Sequence, residues 1–354
     1  MTHRVAVLMA GLALVVVAAV VAVIVINPFA SHPSAGPVPA TSPAPATSAP
    51  ANSSTANPST ANPSTSPSTA PAPPSSGAYL GAWVGTANVF TQSGEIDAVN
   101  SLQTALGRKL NIVHTYLKWQ APFPTSSDLA FVKQGSTLLI SWAGTDTQQI
   151  ASGADDSWIR TRAEQIKALG KPVFLEWRWE MDRPNLRSEV HSGAEFVKAW
   201  DHIRAIFAAT GVHNAAWVWC PTAKGFSDGQ AAAFYPGNSE VDWICADAYP
   251  YAGTTSFAAT VDPFLSWASH YDKPVMIGEF GVPQSLSAQQ RAQWLRAAQR
   301  VVVANHQIKA LLYFDANPAG RTPQGSYSLG DEGAALSAFR SIARLPYFNP
   351  AGTG

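Results

Sequence analysis

Two glutamates occupy positions from which chemistry could be done. Glu180 closes the run Phe174-Leu175-Glu176-Trp177-Arg178-Trp179, and Glu279, 99 residues later, closes Val275-Met276-Ile277-Gly278. Two carboxyl groups held about 5–5.5 Å apart can cleave a glycosidic acetal with retention. One gives its proton to the leaving oxygen while the other attacks the anomeric carbon. Such a pair needs pKa values pushed apart, which burial and mutual proximity accomplish. Gly278 and Gly281 beside Glu279 are expected to let backbone and ligand approach closely. Taken singly, each glutamate reads as well as a rim salt-bridge partner, with Arg178 or Arg183 serving Glu180.

Aromatic residues cluster near the same positions. Trp83, Trp119, Trp142, Trp179, Trp219 and Tyr327 fall at or after apolar runs, where flat side chains could pack on the C–H faces of a pyranose; Trp142 and Trp179 lead this set. Trp217 sits mid-run and reads as core. His114, inside an apolar run, reads as a satisfied core histidine, and Arg178 as the neutralising partner of Glu176. The eight histidines lack metal-ligand spacing, so neither metal nor organic cofactor is expected.

These residues require a frame to position them. Apolar runs at 80–84, 112–116, 137–142, 173–177, 215–219, 241–246, 274–277 and 310–314 alternate with helical patterns such as Trp158–Leu169, Phe196–Ala209 and Ala288–Asn305. Nearly continuous apolar runs suit parallel strands buried on both faces. Eight strand–helix units in about 275 residues match a (β/α)8 TIM barrel, whose active site gathers at the C-terminal strand ends. An open doubly wound sheet is the other arrangement, but no glycine-rich phosphate loop follows the first strand.

Ahead of the barrel, residues 1–26 carry 22 consecutive apolar or glycine positions, Val5 to Ile26, behind a flank whose only charge is Arg4. A helix of that length spans roughly 33 Å, enough for a hydrocarbon core. This predicts an N-terminal transmembrane helix or, alternatively, a cleaved signal sequence, with the rest of the chain outside the cell. Residues 27–76 hold 13 of the 27 prolines and no charged side chain, and read as a disordered linker. The catalytic barrel is expected over 77–354. Equal numbers of acidic and basic residues, 23 each, argue against nucleic acid as a partner. The expected partners are a polysaccharide and, through the N-terminal helix, a membrane, with the chain itself monomeric. Cys220 and Cys245 fall on neighbouring strands, where a disulfide is conceivable; strand alternation does not fix whether both point the same way.

Over residues 78–345 the sequence resembles glycoside hydrolase family 26, the β-mannanases and related β-glycanases. The resemblance is carried by Gly81-Ala82-Trp83-Val84-Gly85, Ile150-Ala151-Ser152-Gly153, Glu180-Met181, Trp217-Val218-Trp219, Tyr235-Pro236-Gly237-Asn238, Val241-Asp242-Trp243-Ile244 with Asp247 and Tyr249, and Lys273 to Gly281. It implies a retaining mechanism with Glu180 as acid/base, Glu279 as nucleophile and Tyr249 hydrogen-bonded to the nucleophile, with Asp247 counted in the substrate-binding set. The family's arginine four residues before the acid/base and its histidine just before it are replaced by Glu176 and Trp179. Its asparagine after Glu-Met is Asp182. The choice of sugar therefore does not carry over. Two other readings remain: an envelope transglycosylase using the same intermediate, and an inactive carbohydrate-binding barrel.

Overall fold

The computed structural model describes residues 69–85, 91–251, 256–316, 326–330 and 333–350. The expected anchor and nearly all of the linker lie outside the described residues. Among the described residues no helix is long and apolar enough to cross a membrane.

Eight strands form a closed parallel barrel in sequence order: β1 (Tyr79–Gly85), β2 (Ile112–Leu117), β3 (Thr137–Trp142), β4 (Val173–Trp177), β5 (Ala215–Trp219), β6 (Trp243–Ala248), β7 (Val275–Phe280) and β8 (Ile308–Ala316). The strands match those expected within a few residues, β6 and β7 running further towards their C-terminal ends. Long helices over Asp156–Leu169, Gly193–Thr210 and Ala288–Ala304 occupy the expected stretches. The second begins at Ser192, whose side chain accepts from Glu195 N, and ends at Gly211 with φ 74°, a left-handed stop that costs glycine little.

Strand alternation sorts side chains into two cores. Inside the barrel, Ile112, Leu139, Phe174, Val218, Trp243, Met276 and Leu312 pack together; outside, the alternate residues pack against the helices. The same inward parity places His114 and Tyr116 above Ile112, Ser141 above Leu139, and Glu176 above Phe174. The barrel thus grades from an apolar floor to a polar layer below its C-terminal mouth.

The floor is closed by the chain's approach to β1. Thr69 N donates to His213 O at 2.9 Å, Ala70 and Tyr79 pack on the inner apolar cluster, and Tyr79 OH donates to Ala72 O at 3.0 Å. Ala78 N then donates to Tyr347 O at 2.9 Å.

Candidate active site

Glu279 reaches the mouth because β7 carries an extra residue. Cys245 pairs with Met276 and Ala246 with Ile277, but Asp247 pairs with Glu279, leaving Gly278 over. Met276 faces the interior, so unbroken alternation would turn Glu279 outward; the bulge restores it to the inner face. Gly278 serves this bulge rather than ligand approach. A Cβ there would lie 2.6 Å from Cys245 Sγ and 3.0 Å from Asp247 Oδ1. Gly281 meets protein too, since a Cβ on it would sit 3.1 Å from Tyr249 and Tyr327 ring atoms.

Glu180 arrives by a different device. β4 ends at Trp177, and the chain then turns through left-handed φ values of 54° at Arg178 and 50° at Glu180. Such a conformation costs a non-glycine residue about 1–3 kcal/mol and persists only where its surroundings hold it. Here Arg178 N donates to Trp142 O at 2.9 Å, and Glu180 N donates to Cys220 O at 2.8 Å. Two residues on, Asp182 accepts from Thr222 N at 2.9 Å and from Thr222 Oγ1 at 2.5 Å, tying the turn to the loop after β5.

The two carboxyl groups share one electrostatic site, and both residues are buried. Arg183 donates to Glu180 Oε2 at 2.6 Å, and its charge also acts on Glu279. Tyr249 OH donates to Glu279 Oε2 at 2.6 Å, and Tyr116 OH donates to the other oxygen. Burial, then the charge of Glu180, pushes the Glu279 carboxyl up to about 7; the two phenols and Arg183 oppose that rise. Both phenols are held neutral, first by burial and then by the Glu279 charge.

Around this pair stand partly exposed rings. Trp83 stacks on Phe314 with centroids 4.5 Å apart and meets Tyr116 edge-on at 5.6 Å; Trp179 lies 5.1 Å from Tyr116. Tyr327 is 4.8 Å from Tyr249 and mostly buried. The mouth therefore gathers Glu180, Glu279, Tyr249, Trp83, Trp179 and Tyr327 from the expected residues.

Three tryptophans are not brought there. Trp142 and Trp219 are fully buried on the outer faces of β3 and β5. Trp142 stacks on Trp119 at 4.3 Å, with the Arg162 guanidinium 5.5 Å from its ring; Trp219 packs against Phe226, Tyr235 and Trp267. The expectation that either lines a cleft is corrected by parity. Their inward neighbours are Ser141, Val218 and Cys220. Trp119, half-buried, covers Trp142. Trp217 is core, as its mid-strand position suggests.

Asp247 also differs from expectation, lying beneath the mouth at 3% exposure. Burial, then the charge of Glu279, raises its carboxyl well above the usual range. Glu176 is raised in the same way and hydrogen-bonds Ser141, which meets His114 Nε2 at 2.6 Å. Burial pushes His114 down to about 3, so the imidazole is neutral. Arg178 does not neutralise Glu176; it turns outward to Glu189 at 2.5 Å. Ligand atoms of Glu176, Cys220, Cys245 and Asp247 lie within 4.8 Å of one another. The two sulfurs, however, are joined as a disulfide and offer no thiolate to a metal.

Tyr116 is the site residue that sequence reasoning missed. Its signal was available: His114 and Tyr116 share the inward parity of β2, and Tyr116 is the inward residue nearest that strand's C-terminal end.

No family profile matches the sequence. Endoglucanase H of Acetivibrio thermocellus is 28% identical over 295 residues, 78% of this chain and 31% of that protein. A β-1,3-xylanase of an Alcaligenes species is 28% identical over 169 residues, 44% of this chain and 31% of that protein. The chain thus spans about a third of the length of the curated relatives it matches. Among solved structures, a family 26 β-mannanase of Bacteroides ovatus superposes with a TM-score of 0.61 at 14% identity, covering 77% of this chain and 90% of that one. The catalytic domain of a family 26 endo-β-1,4-mannanase of Bacillus sp. JAMB-750 gives 0.61 at 15% identity, covering 78% and 89%. The chain has the fold of glycoside hydrolase family 26. The mouth described above is the C-terminal end of that barrel, where β4 and β7 deliver Glu180 and Glu279.

Proposed function

We propose that the chain is a retaining glycoside hydrolase that cleaves a β-linked polysaccharide internally, with Glu180 as acid/base and Glu279 as nucleophile. The observation that carries this reading is Glu279 itself. It is a buried carboxyl gripped on both oxygens by phenols, with its proton affinity raised by a second carboxyl in the same mouth. Two neutral donors orient it, the Arg183 charge acts on it as well, and partly exposed rings surround it, an arrangement suited to attack on a carbon centre.

In the first step Glu279 attacks the anomeric carbon while Glu180, protonated, gives its proton to the departing oxygen. In the second, Glu180 takes a proton from water, whose oxygen displaces Glu279 from the glycosyl ester. Arg183 sits on Glu180 Oε2, so bound sugar must share or displace that contact for the proton to reach the leaving oxygen. Trp83 and Trp179 supply flat faces for the sugar units flanking the cleavage point. Export beyond a membrane, with the N-terminal segment as anchor, belongs to the same proposal and rests on the sequence of residues 1–26.

The relatives' printed names span glucanase, xylanase and mannanase, so the test is a panel. The full chain and its Glu279→Ala variant are incubated with β-mannans, β-glucans, β-1,3- and β-1,4-xylans and envelope polysaccharides, and new reducing ends are counted. Release by the parent and not by the variant is expected on at least one polymer. Equal release by both would remove Glu279 from the mechanism; none on any polymer would remove hydrolysis. A second reading keeps the same glycosyl ester and passes the sugar to another glycan instead of water. Products lengthened in the presence of added oligosaccharide would distinguish it.

A further inference from the structure

We infer that the Cys220–Cys245 disulfide is a positioning element for the catalytic pair, bracing the backbone of Glu180 on one side and that of Glu279 on the other. This rests on the reading of the two glutamates given above.

Three observations converge on it. Cys220 follows β5 directly, and its carbonyl accepts the Glu180 amide at 2.8 Å. That contact holds a residue in a left-handed conformation it would not keep by itself. On the other side, both sulfurs press on Gly278, the extra residue that turns Glu279 inward. A Cβ at that glycine would fall 2.6 Å from Cys245 Sγ and 3.1 Å from Cys220 Sγ. Finally, the seam the bond crosses is thinly laddered. β5 and β6 pair through Val218 with Trp243 and Trp219 with Ile244, whereas β1 and β8 pair through seven residues from Tyr79 to Gly85. The disulfide joins the two strands in the gap between the β5–β6 ladder and the Thr222–Asp247 bridge beyond it, just where the two catalytic backbones lean on them.

The sulfurs are fully buried, with Asp247 Oδ1 3.3 Å from Cys220 Sγ. Bonded sulfurs sit about 2 Å apart. Two thiols must separate to non-bonded contact, roughly 3.5–4 Å. The added distance presses on Gly278, Asp247 and the Cys220 backbone, which lie against the sulfurs, and Gly278 and Cys220 adjoin the two reacting glutamates. A misplacement on the order of 1 Å can cost about a hundredfold in rate.

The test uses the full chain and the polymer that the parent cleaves. A trialkylphosphine reduces the bond: one phosphine and one water give two thiols and the phosphine oxide, and the thiols are counted after denaturation. Circular dichroism is recorded at the assay temperature. The expected result is a fall in kcat of tenfold or more, KM within about twofold, and an unchanged spectrum. Gly278→Ala, made with the disulfide intact, is expected to lower kcat similarly by overpacking the same contact. Should reduction unfold the protein or fail to reach the buried sulfurs, the double variant Cys220→Ala with Cys245→Ala, which removes the bond without adding an atom, decides in its place, and turnover within twofold of the parent would overturn the proposal. Turnover within twofold of the parent, in the fully reduced protein and in Gly278→Ala, would overturn the proposal. A parent that cleaves none of the polymers removes the reading of the pair and this proposal with it. An active parent with insensitive variants removes only the latter.

Discussion

At the scale of single residues, Glu279 is held between opposing influences. Burial and Glu180 raise its proton affinity; two phenols and Arg183 lower it. Because a nucleophile must be ionised, the acid limb of kcat/KM is expected near pH 7 in the parent. Removing either phenolic donor takes away a contact that lowers the pKa. Tyr116→Phe and Tyr249→Phe should therefore each move that limb to higher pH and reduce kcat by about 10- to 100-fold, as read from pH–rate profiles on the same polymer. Stability carries the opposite sign. With its folded pKa near 7 against a reference of 4.5, Glu279 leaves the folded state binding more protons than the unfolded state between those values. Its contribution to stability thus declines as pH rises through that window. Glu279→Gln, which does not titrate, should gain in melting temperature over the parent by a few degrees at pH 7 and much less at pH 4.5. Melting curves at the two pH values check this, and an equal offset at both would contradict it.

Single elements decide which residues can take part. Inward and outward positions along each strand separate Trp83 and Tyr116 from Trp142 and Trp219, although all four look alike as aromatics near strand ends. The test is a contrast. Trp142→Ala opens a cavity between barrel and helices and should cost about 3–5 kcal/mol of stability. Trp179→Ala should leave the unfolding midpoint nearly unchanged and raise KM several-fold. The end of β4 yields another prediction. Asp182 caps the loop after β5 through two hydrogen bonds to Thr222, and a Cβ on the neighbouring Gly225 would fall 1.9 Å from its Oδ2. Asp182→Ala strands the Thr222 amide, should cost about 1–3 kcal/mol, and should lower kcat by loosening Glu180 two residues away. Chemical denaturation and steady-state kinetics measure the two effects.

In the molecule as a whole, the eight strands were legible because parallel strands buried on both faces write themselves as unbroken apolar runs. The positions of Glu180 and Glu279 at strand ends were legible for the same reason. Side-chain direction was only partly so. Alternation, applied from Leu139 and Ser141 on β3, would have turned Trp142 outward, and applied from Ile112 and His114 on β2 would have found Tyr116. The bulge at Gly278 and the left-handed turn at Glu180 break alternation, and no local residue pattern announces either one. Nor did strand order tell that Arg178 would leave Glu176 for Glu189, since that choice depends on a short helix, Arg187–Val190, thirteen residues beyond Glu176. The approach to β1 has a consequence for how the domain meets a polymer. Thr69 is fastened beside His213, at the floor, and both glutamates open at the opposite end. Among the described residues the chain therefore enters the barrel from the end opposite the mouth; under the proposal that the N-terminal segment is an anchor, the domain would be held by its back, with the mouth left open to a long glycan.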